Sequence, residues 1–253
     1  MNLLIRNALK GFFSLFGFQI IKSHLGILIT KDDIITYQTT PLEEDKFKWL
    51  QNMNINTVID VGAHKGEFAL QLYTILPNAR FYCFEPLPDI FLELQANLKD
   101  LNNFSIFNLA VGDQQGEITM YRSSFSPSSS IRKMADIHKN NFPYTSGGKL
   151  ENVEINALDK ITNKLELEDN ILLKIDVQGY EDKVIQGGSD ILDRSKVIII
   201  ETSFYELYEK QALFGDIHKL LAERGFVYSG NWEETKSPND GLPLQQDSIF
   251  IKR

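Results

Sequence analysis

Apolar residues fall into short blocks separated by turn-forming residues, and the spacing inside each block predicts its element. Thr57-Val58-Ile59-Asp60-Val61 is a compact apolar run that predicts a strand. Gly62-Ala63-His64-Lys65-Gly66 follows it, and Phe68, Ala69, Leu72, Tyr73 and Leu76 then recur at helical spacing until Pro77 and Asn78. Arg80 to Phe84 predicts the next strand, ending at Glu85-Pro86. Ile90, Phe91, Leu94 and Leu98 predict a second helix, and Phe104 to Leu109 a third strand. Such alternation favours right-handed crossovers and a doubly wound, mostly parallel α/β sheet.

The second half repeats the pattern. Ile171 to Ile175 reads as a buried strand with Asp176 at its end, Glu181 to Leu192 as a helix, and Lys196 to Ile200 as a strand ending in Glu201. Gln211 to Arg224 predicts a helix stopped by Gly225. Phe226 to Tyr228 and Ser248 to Ile251 predict an antiparallel pair at the sheet edge. Between the halves, Glu117 to Tyr121 and Asn152 to Ile155 suggest strands and Leu158 to Leu165 a short helix. The segment from Arg122 to Lys149, with its SSFSPSSS run, reads either as a lid or substrate loop or as a disordered surface stretch.

Residues 50–253 carry this α/β pattern, and residues 1–49 form an N-terminal extension of helical and strand segments. In the first 21 residues, Leu3, Leu4, Ala8, Phe12, Leu15 and Phe16 share a helical face, while Arg6, Lys10 and other polar residues interrupt any run long enough to span a bilayer. Packing against the body, dimerisation, or peripheral contact with a membrane are the roles open to residues 1–21. The expected location is cytoplasmic, with attachment at the inner membrane face left open.

Charge removes one class of partner. Against 26 Lys and Arg stand 34 Asp and Glu, and the net charge of −8 opposes nucleic acid at long range. Cys83 is the single cysteine, so no intramolecular disulfide or thiolate metal cluster can form, and no HExxH is present.

The turn Asp60-Val61-Gly62-Ala63-His64-Lys65-Gly66 carries the clearest chemistry. Gly62 and Gly66 let the backbone bend tightly against a ligand, and the helix after them offers free amide donors. Neither GxGxxG nor GxxxxGK[ST] is present, which favours an adenosyl or amino-acid ligand over a pyrophosphate. Glu85, at the carboxyl end of the second strand, is placed to accept hydrogen bonds from ribose hydroxyls. Asp176, Glu181 and Glu201 could converge on the same crevice, where they would hold a divalent cation through Asp176 and Glu201, orient a hydroxyl, or act as general base.

Two segments, VIDVGAHKGEFA at 58–69 and LLKIDVQGYEDKVIQGG at 172–188, resemble the FkbM-type family of S-adenosylmethionine-dependent methyltransferases; FEPLPDIFLELQANL and the terminal QQDSIFIKR add support. The resemblance implies a Rossmann-like class I methyltransferase with a seven-stranded sheet, S-adenosyl-L-methionine as cofactor, and transfer to a hydroxyl of a sugar, glycan or natural-product intermediate. It places Asp60 and Gly62 at the methionine part of the cofactor, Glu85 at the ribose, Asp113 beside the adenine and Asp176 near the transferred methyl. His64 stands where the family commonly has asparagine, and Gln178 where it usually has glutamate. His64 can still bond cofactor or substrate, and Asp176, then His64, are the candidate bases. A nicotinamide-dependent oxidoreductase and a nonenzymatic binding protein that keeps the fold are the rival readings. Homo-oligomerisation stays open.

Overall fold

The computed structural model describes residues 18–23, 26–31, 34–38 and 47–253. The helical face expected over Leu3 to Phe16, and with it most of the segment assigned to membrane or subunit contact, lies outside the described residues. Residues 1–52 and 53–253 form separate units. In the first, β1 (Phe18–Ser23), β2 (Gly26–Lys31) and β3 (Ile34–Gln38) make an antiparallel meander in the order β1-β2-β3. Among the described residues no helix is long and apolar enough to cross a membrane.

The second unit is built on seven strands. β4 (Thr57–Val61), β5 (Arg80–Phe84), β6 (Phe104–Phe107) and β10 (Ile171–Ile175) run parallel, and β11 (Ser195–Ser203) joins β10 in the same sense. β12 (Phe226–Lys236) and β13 (Pro243–Lys252) close one edge as an antiparallel hairpin, giving the order β12-β13-β11-β10-β4-β5-β6. β4 and β10 are buried at every position, as continuous apolar strands covered on both faces must be. Ile59, Leu173, Ile175, Ile198, Ile200 and Phe250 interlock in the main core. After β4 the chain winds outward through β5 and β6, then returns to lay β10 beside β4. That reversal makes the junction of β4 and β10 a topological switch point, where open α/β sheets hold their ligands.

α1 (Glu67–Ile75), α2 (Pro88–Leu98) and α7 (Phe214–Ala222) are crossover helices close to expectation. Four segments differ from it. The strand expected over Phe104 to Leu109 stops at Phe107, because the Asn108 amide donates to the Glu85 and Pro86 carbonyls; the chain then starts β7 (Ala110–Gly112) in another sheet. That sheet has the order β7-β9-β8, with β8 (Gly116–Ser123) and β9 (Gly148–Ala157). The helix expected from Glu181 breaks into α5 (Glu181–Gly187) and α6 (Ser189–Arg194), separate from the α4 turn (Leu158–Thr162) and from α3 (Asp136–Asn141). Its break falls at Gly188, just after Gly187, where any side chain would strike the Gly112 carbonyl. Glu201 lies inside β11 rather than at its end.

The fourth difference is the serine-rich segment, which is folded inward. Ser123, Ser128, Ser129 and Ser130 are buried. Ser123 Oγ donates to the Thr145 carbonyl, Ser129 Oγ accepts from the Ser123 amide, and Ser130 Oγ donates to the Gln178 carbonyl. Their hydroxyls satisfy the backbone of an irregular segment that apolar residues could not have satisfied.

Candidate active site

The turn after β4 is shaped by close approach. Gly62 has φ +85°, and a Cβ there would lie 1.8 Å from the Asp176 carbonyl oxygen. Only glycine lets the two strand ends come together. The amides of Gly62 and Ala63 donate to the Phe84 carbonyl, tying this turn to β5. Gly66, at φ +88°, precedes α1 and packs on Leu94 and Leu98.

Glu85 is buried just beyond β5. Its Oε2 accepts from the His64 amide at 3.1 Å and its Oε1 from the Leu87 amide at 2.8 Å, which leaves each oxygen a further lone pair. Burial pushes its pKa up to about 7 against the opposing pull of those amides. Glu85 lines a cleft together with Gly62, His64, Phe84, Val111 and Asp176. The His64 ring meets Ser126 Oγ at 2.9 Å through Nε2, so it joins the glycine turn to the serine segment, whose Ser126, Pro127 and Ser129 form another wall of the cleft.

Asp60 points its carboxylate into the protein. It is 1% exposed, neither oxygen has a hydrogen-bond partner, and burial raises its pKa to about 7. In register beside it on β10 stands Lys174, also buried, with Nζ 3.0 Å from Asp176 Oδ2 and 5.2 Å from the centre of the Phe68 ring. Burial alone would depress the lysine, but the carboxylates of Asp176, Asp247 and Asp60 prevail and hold it charged.

The turn after β10 is saturated with bonds. Gln178, in the left-handed region at φ 56°, donates from Nε2 to Asp176 Oδ1 at 2.8 Å and to Glu201 Oε2 at 2.9 Å; its Oε1 accepts from the Tyr208 hydroxyl at 2.8 Å. Glu201 Oε1 accepts from Gln245 Nε2 at 2.6 Å. Glu181, one of the acids expected to converge on the crevice, is buried outside the cleft lining: its Oε1 accepts the amides of Val177 and Gly179 and closes the turn. Burial lifts Glu181 to about 7, and burial with repulsion from Asp176 lifts Glu201 well above the carboxylate range.

The structure therefore brings Gly62, His64, Glu85 and Asp176 to one cleft. Asp60 and Gly66 support that cleft from behind. Asp113 lies outside its lining, with Oδ2 accepting from Lys183 Nζ at 3.0 Å. The Asp176 and Glu201 pair does not fit a divalent cation, since all four oxygens already accept from Lys174, Gln178 or Gln245, and the Gln178 amide nitrogen bridges the two carboxylates in the position a metal would need. Among the described residues no group of three or more acids, histidines or cysteines could hold a metal. Lys174, Tyr208 and Gln245 were missed as site residues. Lys174 had a signal: a charged residue inside an otherwise apolar strand demands a buried partner.

The model of the methyltransferase FkbM domain matches residues 60–228. The chain is 30% identical over 171 residues to the 2-O-methyltransferase NoeI of Sinorhizobium fredii, covering 65% of this chain and 70% of that protein. It is 31% identical over 173 residues to the AMB antimetabolite synthetase AmbE of Pseudomonas aeruginosa, covering 57% of this chain and 8% of that much longer protein. Among solved structures, the methyltransferase FkbM from Methylobacillus flagellatus aligns with a TM-score of 0.49 at 12% identity, over 78% of this chain and 43% of its own.

Proposed function

The chain belongs to the FkbM methyltransferase family, and from that premise we propose that it moves the methyl group of S-adenosylmethionine to a hydroxyl oxygen of a sugar, glycan or natural-product intermediate. One observation carries the proposal: Gly62, Glu85 and Asp176, from three different strand ends, line a single cleft at the switch point. The similarity to a 2-O-methyltransferase supports oxygen as the acceptor atom.

The residues fit the cofactor. Glu85 keeps a lone pair on each oxygen for a ribose diol, Phe84, Leu87 and Val111 offer apolar walls for an adenine, and Gly62 lets the main chain close on the methionine part. Asp60, buried without a hydrogen-bond partner, stands behind that turn. When bound, S-adenosylmethionine supplies a methyl already activated by its sulfonium, so the chain's own task is to orient the acceptor, exclude water and take one proton.

Asp176 takes that proton. It is the carboxylate of this group that faces the cleft, with 29% of its side chain exposed. Lys174 on Oδ2 and the Gln178 amide on Oδ1 fix its rotamer while leaving lone pairs free for an acceptor hydroxyl. The wall formed by Ser126, Pro127 and Ser129 keeps bulk water from the reacting atoms.

The test is direct binding of S-adenosylmethionine but not NAD by calorimetry, followed by transfer of its labelled methyl to sugar hydroxyls as an ether stable to mild base. A chain that binds NAD and not S-adenosylmethionine would end the proposal.

A further inference from the structure

A second cavity, of about 330 Å³, shares the 126–130 segment with the cleft: Ser126, Pro127 and Ser129 line the first, Ser128 the second. Its size falls within the ~300–1,000 Å³ of small-molecule sites. Arg122, Arg132, Lys133, Lys139 and Lys149 line it and no acid does, although the chain carries a net charge of −8. Each cation has an acidic partner, but all of these lie outside the lining. Asp89, Glu209 and Asp136 stand about half or more exposed, where solvent screens them. Glu151, on Arg122 and Lys149, and Asp182, on Arg132, are mostly buried, and the Ser123, Thr145 and Ser146 hydroxyls donate to main-chain carbonyls, so the space is left with the cations, of which Lys133 and Lys149 are the most exposed, and the Gly147-Gly148 main chain.

We propose that this cavity holds a phosphoryl group of the acceptor, so that the substrate is a phosphorylated sugar; the inference rests on the methyl-transfer reading above. Cations arrive from four separate stretches of chain, at 122, 132–133, 139 and 149, and surround the space rather than forming one flat fork. A tetrahedral dianion with several outer oxygens uses such a set, whereas a carboxylate is satisfied by one planar guanidinium. The cavity is also coupled to the chemistry. Tyr208 lines it, and the Tyr208 hydroxyl donates to Gln178, whose amide holds Asp176. A phosphate anchored here would fix the acceptor beside the base without touching it.

The experiment titrates the full chain with glucose 1-phosphate, glucuronate and methyl glucoside, with S-adenosylmethionine binding measured in parallel. Glucose 1-phosphate is expected to bind on the order of tenfold or more tighter than methyl glucoside, as charge-assisted hydrogen bonds require. The double variant Lys133→Glu, Lys149→Glu should lose that preference while binding S-adenosylmethionine as before, which also reports that it is folded. Equal binding of the phosphate and the neutral sugar, equal binding of glucuronate, or a preference that survives the charge reversal would each overturn the proposal. If the phosphate preference holds but S-adenosylmethionine does not bind, the cofactor reading fails and the anion cavity stands.

Discussion

The turns leaving β4 and β10 begin on adjacent strands, yet they are built in opposite ways. After β4, the chain relies on glycine: Gly62 and Gly66 both adopt positive φ, and the nearest carboxylate, Asp60, has no hydrogen-bond partner. After β10, side chains bond every carboxylate oxygen of Asp176 and Glu201, and Glu181 ties down the main chain. A site needs both kinds of turn. The first leaves backbone and charge unsatisfied, which a ligand then completes; the second is complete in itself, so the one carboxylate it presents to the cleft has a fixed direction.

If that division holds, the largest effect should come from the one outward-facing group of the saturated turn. Asp176→Asn is expected to lower kcat by about 10²–10⁴-fold, the usual worth of a positioned base, with S-adenosylmethionine affinity nearly unchanged. A fall in cofactor affinity with kcat preserved would assign Asp176 to the binding turn instead. Next comes the cation between the two turns. Lys174→Met leaves Asp60 and Asp176 without their shared ammonium and should destabilise the fold by about 3–5 kcal/mol, read from urea denaturation. A loss under about 1 kcal/mol would mean that the acids take up protons and do not need the lysine.

The glycine turn was legible in the sequence and the saturated turn was not. Gly62, Glu85 and Asp176 sit at ends of strands whose apolar period and flanking turn residues are local information, and their convergence follows from the strand order that alternation implies. The bonds of the second turn join Gln178 to Glu201 and Tyr208, and Glu201 to Gln245, across β10, β11 and β13. No local pattern encodes which glutamine meets which acid. The serine run left two readings open for a related reason: its hydroxyls are buried against partners such as Gln178 and Thr145, and composition alone cannot separate a solvated serine from a satisfied one.

Gln178 gives a finer test of the saturated turn, because its one side chain bonds both acids and Tyr208. As an amide it donates to Asp176 and Glu201 together, and its carbonyl oxygen accepts from Tyr208. Gln178→Glu would turn the two donated bonds into carboxylate contacts. The variant is expected to lose about 1–3 kcal/mol at pH 8 and to recover part of it at pH 5, where the new acid takes a proton and donates again. Equal stability at both pH values would show that this amide is not the element that saturates the turn.

The smallest effect tests the unsatisfied turn in the protein without ligand. Asp60 is held near pKa 7, whereas an unfolded aspartate titrates at about 4, so between those values the folded chain keeps a proton that the unfolded chain has released. The folded state binds more protons there, and stability must fall as pH rises from about 4 through about 7. Glu85 and Glu181, also raised to about 7 by burial, and Glu201, raised well above the carboxylate range, act in the same direction. Each group contributes a slope of at most about 1.4 kcal/mol per pH unit. Asp60→Asn removes one of these four protons and should flatten, not abolish, the decline measured by thermal melts from pH 5 to pH 8. An unchanged slope would mean that Asp60 is ionised in the folded chain, stabilised by Lys174, and that the contrast between the two turns is one of geometry rather than charge.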